Sequence, residues 1–194
     1  MTSAVLDIAV VGSGYLLGSI STAILVCRLL GRTDPRTTGS RNPGATNVLR
    51  VAGRDAAIMT LAGDLLKGVV AVLAARALGT EPVVWLLAGA AAFLGHLYPV
   101  FFGFRGGKGV ATAFGMLLAA LPIAGLMAVA TWVAAFAVAR ISSIGALTAF
   151  ALAPVYVAWT SRSIATTAIM AAVSLLLFWR HRSNIRRLVE RSET

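Results

Sequence analysis

Charge is scarce in this chain, and acidic charge scarcest. Only 12% of its 194 residues are charged, with 7 Asp+Glu against 17 Lys+Arg. Cysteine is nearly missing. Cys27 alone excludes an internal disulfide and a multi-cysteine metal site, and it suits a small buried apolar position. No His/Cys/carboxylate group has metal-ligand spacing, so neither a metal nor a cofactor is expected. There is no low-complexity tract or soluble linker. The residues before Arg28 lack a basic n-region and a small-x-small cleavage site, which argues against a removable signal peptide. Apolar residues make up 58% of the chain, and the mean hydropathy is +0.85. A soluble domain of this length cannot bury so much apolar surface. The solvent for most side chains is therefore lipid. Because long apolar runs recur throughout, residues 1–194 read as one membrane-embedded domain rather than a soluble domain with an anchor.

A spanning helix needs about 20 apolar residues. Runs at 5–30, 56–78, 83–102, 144–159 and 164–179 qualify, and 109–139 is too long for one span and short for two. Pro122 lies inside that stretch, where it breaks or kinks a helix. Charge chooses between the readings. Split at Pro122, with the N-terminus outside, the chain has seven spans, and of its 17 Lys+Arg only Arg162, Arg76 and Lys67 escape the inner loops. Unsplit, it has six, and the Arg-rich C-terminus falls outside. The positive-inside rule selects seven. The fold class expected is all-α: a polytopic integral membrane protein with seven transmembrane helices, N-terminus outside and C-terminus cytoplasmic. The net charge of +10 is then topological, and nucleic acid is not an expected partner.

The unusual residues gather on the same inner side. The first inner loop, residues 31–50, holds Gly39, Ser40, Asn42, Gly44, Thr46 and Asn47 and closes on Arg50. Small residues let backbone N–H groups approach an anion, and Arg50 adds a fork that fits phosphate. The alternative is an ordinary turn-rich loop with topogenic arginines. The second inner segment, Gly103-Phe-Arg-Gly-Gly-Lys-Gly-Val-Ala-Thr112, fails the Walker A pattern. Gly109 follows Lys108 where Ser or Thr belongs, and Phe102 replaces the leading glycine. What is left is a glycine turn at a helix N-terminus with Lys108 as a point charge, which favours an oxyanion, or simply a tight turn with a topogenic lysine. Arg140-Ile-Ser-Ser143 is the third inner group. In the fourth, His181 and Asn184 stand at i and i+3, on one face if the segment is helical. Ile185 and Leu188 continue an apolar stripe there, as in an interfacial helix or a lipid-binding basic tail.

Two charges sit deeper. Asp64 and Lys67, at i and i+3 in the second span, can form an ion pair, and such a charge costs about 2.5–3.5 kcal/mol unless paired or in a polar cavity. They read as support for the site, and His96 as a hydrogen-bonded packing residue. A transporter or flippase for an anionic lipid precursor also accommodates broken helices and basic residues, but internal repeats and midplane polar groups are missing. A structural subunit docking through its basic tail leaves the clustered Gly, Asn and Ser unexplained.

The same segments carry a resemblance. Gly18-Ser-Ile20, Gly39-Ser-Arg-Asn-Pro-Gly-Ala-Thr-Asn47 with Arg50, Asp64-Leu-Leu-Lys-Gly68, Gly95-His-Leu-Tyr-Pro99, Phe104-Arg-Gly-Gly-Lys-Gly-Val-Ala-Thr112, Arg140-x-x-Ser143 and His181-x-x-Asn-Ile-x-Arg-Leu188 stand in order along nearly the whole chain. It resembles the bacterial acyl-phosphate-dependent glycerol-3-phosphate acyltransferases, the PlsY family. The resemblance implies a seven-helix protein of the bacterial cytoplasmic membrane with its active site facing the cytoplasm. Its partners would be membrane lipid, acyl phosphate and glycerol 3-phosphate, which is acylated on its 1-hydroxyl to lysophosphatidic acid. It further implies that Ser40, Arg50 and Lys108 hold phosphate with help from Thr46, that His181 and Asn184 orient the glycerol, and that Ser143 lies near the acyl phosphate. Asn42, Gly106, Gly107 and Glu193 fall on motif positions. Ser21 stands where the family commonly has Pro, and Arg41 and Arg191 where it has Gly.

Overall fold

The computed structural model describes residues 3–190, so Arg191 and Glu193 lie outside the described residues. Among the described residues all regular structure is helical. In order the helices are α1 (Ala4–Gly18), α2 (Thr22–Leu29), α3 (Ala45–Ala52), α4 (Arg54–Ala77), α5 (Pro82–Leu97), α6 (Val110–Ala120), α7 (Pro122–Ala139), α8 (Ser142–Ser161), α9 (Ile164–Arg180) and α10 (Arg182–Val189). A 3-10 turn, Val100–Phe102, follows α5. Four helices are long and apolar enough to cross a membrane, or up to six when each bent pair, α1 with α2 and α9 with α10, is one span. α6 is apolar but has only 11 residues.

Proline sets two helix starts. Pro82 and Pro122 occupy the first turns of α5 and α7, where the missing N–H costs nothing. The long apolar stretch therefore parts at Pro122, as its sequence requires. The first span is not one helix, however. It bends by 40° between α1 and α2, although Ser19, Ile20 and Ser21 include no breaker. Close packing accompanies the bend. Gly18 lies against the backbone of Ala92, and Gly95 against the carbonyl of Tyr15, so added methyl groups would clash there. Gly68 and Gly115 bring α4 and α6 together in the same way. Such small-residue contacts join helices where no hydrophobic effect separates lipid from side chain.

The central core runs through Val72, Leu86, Phe93, Leu97, Met116, Leu117, Phe150, Val157, Met170 and Leu177. Large apolar side chains also cover the outside: Val138 is 88% and Ile164 90% exposed. A water-soluble bundle does not tolerate such a surface. The second half of the first inner loop is a helix, not only turns. α3 buries Val48 and Ala52 against Ala23, Val26, Cys27, Ala56 and Ala57 and leaves Thr46 and Arg50 exposed one turn apart.

Candidate active site

Arg36 links the first inner loop to the 3-10 turn, and the glycine segment that follows the turn meets α10. The first inner loop is organised by Asn47, which is buried on α3. Its side-chain amide donates to Pro35 O (2.9 Å) and Thr38 O (3.2 Å), and its Oδ1 accepts the Ser40 N–H (2.9 Å). Gly39, at φ 61°, takes a left-handed turn directly over that Oδ1, a position closed to any side chain. Ser40, Asn42, Thr46 and Arg50 all belong to this loop and helix. Arg41 sits at φ 57°, a left-handed conformation that costs a bulky residue about 1 kcal/mol. Arg36 binds both Asp34 oxygens, the nearest at 2.7 Å, and reaches Phe102 O at 3.4 Å. That contact ties the loop to the 3-10 turn six residues before Lys108. The side-chain hydrogen bond from Arg36 holds the Asp34 carboxyl below its ordinary value. The stability it adds is thus present above the unfolded carboxylate value and is lost only as pH falls through the lowered one.

The glycine segment rests on His96. Gly107 N–H donates to His96 O at 3.1 Å, and an added Cβ on Gly107 would meet the imidazole. Below it lies a buried ion cluster. Lys67 Nζ is 2.9 Å from Asp64 Oδ1, both side chains are 4% exposed, and His96 Nδ1 stands 3.3 Å from the same oxygen. Lys67 also donates to Ile20 O (3.3 Å), in the bend of the first span, and Thr112 Oγ1 to Asp64 O (2.9 Å). The cluster thus joins that bend, α4, α5 and α6 beneath the loop. Gly106 has no room either: a Cβ would stand 2.6 Å from Leu97 O and 2.7 Å from Pro99 Cδ, with His96 O closer still. Gly106→Ala is therefore expected to cost about 1–3 kcal/mol by overpacking against backbone. It should also lower turnover at least about tenfold as the loop shifts. Thermal unfolding beside initial rates checks both, and a variant with unchanged rate would show the loop is not held where we describe it.

From this loop Lys108 extends to Asn184, its Nζ donating to Oδ1. Asn184 is buried on α10, and His181, also buried, is the junction between α9 and α10. The pair bends by 58° there. His181 Nδ1 lies 2.8 Å from Leu177 O. A carbonyl can only accept, so Nδ1 carries the hydrogen and Nε2 of the neutral ring is an acceptor. Ser143 is buried in the first turn of α8. Gly109, at φ 81°, caps α6, whose first N–H groups have no intrahelical partner. Lys108, a helix N-terminus and Arg50 suit a phosphate; Asn184 and His181 suit hydroxyls.

The glycerol-3-phosphate acyltransferase family model matches residues 8–191. This chain belongs to that family. Among acyltransferase relatives, that of Thioalkalivibrio sulfidiphilus is 58% identical over 186 residues, covering 95% of this chain and 91% of the relative. That of Halorhodospira halophila is 52% identical over 189 residues, covering 97% and 96%. Crystal structures of PlsY, an integral membrane glycerol 3-phosphate acyltransferase, match as closely in shape. The glycerol 3-phosphate form superposes with a TM-score of 0.90 at 36% identity, covering 97% of this chain and 94% of that one. The lysophosphatidic acid form gives 0.88 at 35%. Of the residues singled out in the sequence, the fold draws together Lys108, Asn184, His181, Gly106 and Gly107. Ser40, Asn42, Thr46 and Arg50 stand on a separate loop or helix, linked to them through Arg36 and Phe102. In the sequence Arg36 and Arg180 read only as topological charge. Only their contacts reveal them.

Proposed function

We propose that this chain transfers a fatty acyl group from acyl phosphate to the 1-hydroxyl of glycerol 3-phosphate, forming lysophosphatidic acid. It does so as one domain with seven spans in the bacterial cytoplasmic membrane, α6 being the short one. Its N-terminus lies outside and its active site and C-terminus face the cytoplasm. The observation that carries the reading is the meeting of Lys108 with Asn184 beside a glycine turn, across 76 residues of sequence. Charge asymmetry supports the orientation, and the family supports the substrate.

Both reactants are anions, and one has a long tail. A cationic rim at the membrane surface accepts both phosphates and leaves the tail in lipid. Ser40, Thr46, Arg50 and Lys108 hold phosphate, with Asn42 and the turn of Gly106 and Gly107 alongside. His181 and Asn184 orient the glycerol, and Ser143 faces the acyl phosphate. The C1 hydroxyl oxygen attacks the acyl carbonyl carbon. The ester bond forms, the bond from that carbon to the phosphate oxygen breaks, and phosphate departs. No acyl-enzyme is needed because the donor is already activated. Positioning and the charges of Lys108 and Arg50 supply the acceleration. The hydroxyl proton passes to a phosphate oxygen of the substrate, while His181 Nε2 accepts a hydrogen bond that aims the hydroxyl.

Purified protein given glycerol 3-phosphate and palmitoyl phosphate should yield lysophosphatidic acid. Product from acyl-CoA or acyl carrier protein, with none from acyl phosphate, would sink the donor assignment. His181→Gln should lower turnover about 10–100-fold, the loss of one strong hydrogen bond, yet keep the acidic limb of the pH–rate profile. Loss of that limb would transfer the role of base to His181.

A further inference from the structure

Arg180 plays no part in the reaction as written, yet it makes more contacts with the phosphate loop than any cation described above. Its Nη2 donates to Gly106 O and to Gly107 O, both at 2.9 Å, and its Nε to Gly107 O at 3.2 Å. The guanidinium carbon lies 5.5 Å from the Tyr98 ring centre, and the Tyr98 carbonyl is itself fixed by the Tyr15 hydroxyl at 2.8 Å. In a trans peptide the C=O and N–H point in opposite directions. The Gly106–Gly107 peptide is therefore pinned at both ends, its oxygen by Arg180 and its N–H by His96 O. The next peptide is pinned at its oxygen, which turns the Lys108 N–H away from Arg180. Glycine peptides otherwise rotate with little hindrance, and a loop meant for an anion must keep its carbonyls turned aside.

We propose that Arg180 is a positioning residue: it holds the Gly106 and Gly107 carbonyls off the phosphate and locks their loop to the α9–α10 bend, so that Lys108 and Asn184 meet in register. The proposal rests on the acyltransferase reading for its substrate. Its place in the chain makes the coupling direct, since His181 follows it and the helix bends there. A lysine cannot substitute. One ammonium has the charge but not the planar fork that spans two carbonyls while stacking on a tyrosine.

Arg180→Lys and Arg180→Ala separate this role from topological charge. In purified protein, Arg180→Lys is expected to lose at least about tenfold in lysophosphatidic acid formation, and also the rise in melting temperature that inorganic phosphate gives the wild type. Millimolar methylguanidinium should restore both in Arg180→Ala, and methylammonium should restore neither. If Arg180→Ala does not fold, Arg180→Lys decides alone. An Arg180→Lys protein equal to wild type in rate and in phosphate response overturns the proposal, as does equal rescue by the two cations. A wild-type protein without acyltransferase activity, whose phosphate response still depends on Arg180, overturns the substrate reading and leaves this one standing. A wild type that answers to neither assay removes both.

Discussion

Lys108→Ala should lower lysophosphatidic acid formation about 10²–10³-fold while leaving the melting temperature of the purified protein nearly unchanged. The ammonium lies in a half-buried loop and donates to Asn184, and losing that hydrogen bond costs the fold about 1 kcal/mol. The reaction loses far more. The departing phosphate gains charge as the acyl bond breaks, and a fixed cation beside it stabilises the transition state beyond the ground state; removing one such donor typically costs about 2.7–4 kcal/mol. Initial rates measured beside thermal unfolding distinguish the two effects. A rate within a few fold of wild type would mean that the phosphate sits elsewhere.

The largest effect on stability is expected lower in the membrane. Lys67→Met strips Asp64 of its closest partner, 2.9 Å away, in a site where both side chains are 4% exposed. An unpaired buried charge costs about 3–5 kcal/mol. For a chain of this length that means a fall in melting temperature on the order of 10 °C. His96 remains near the carboxylate, but it also carries the glycine loop, so activity should fall together with stability. Pairing Lys67→Met with Asp64→Leu removes both charges, and replacing a buried ion pair by apolar groups is often neutral. The double variant should therefore regain most of the lost melting temperature. If it melts no higher than the single variant, the cluster is not the ion pair described here.

What could be read from sequence depended on how local its cause was. The break before Pro122 was legible because proline acts within one turn. The all-helical apolar architecture followed from composition and span length. The bend at Ser19–Ser21 was not legible: no residue there resists a helix, and the bend goes with the contact of Gly18 with Ala92 and the reach of Lys67 to Ile20 O. α3 was hidden for a related reason. Eight residues do not hold a helix alone, and this one depends on α2 and α4 to cover Val48 and Ala52. The meeting of Lys108 with Asn184 came only through family resemblance, since spacing says nothing across 76 residues. Arg180 shows the limit most sharply. In the sequence it is one more inner-loop arginine, and only the carbonyls it grips set it apart.

The elbow in the first span also makes its leading segment dependent on a later one. A helix broken within lipid leaves backbone carbonyls that the bilayer cannot satisfy, and here Ile20 O is met by an ammonium that leaves the ribosome 47 residues later. That ammonium also stands beside its counter-ion Asp64. The carbonyl at the elbow is therefore satisfied only where α4 stands against it.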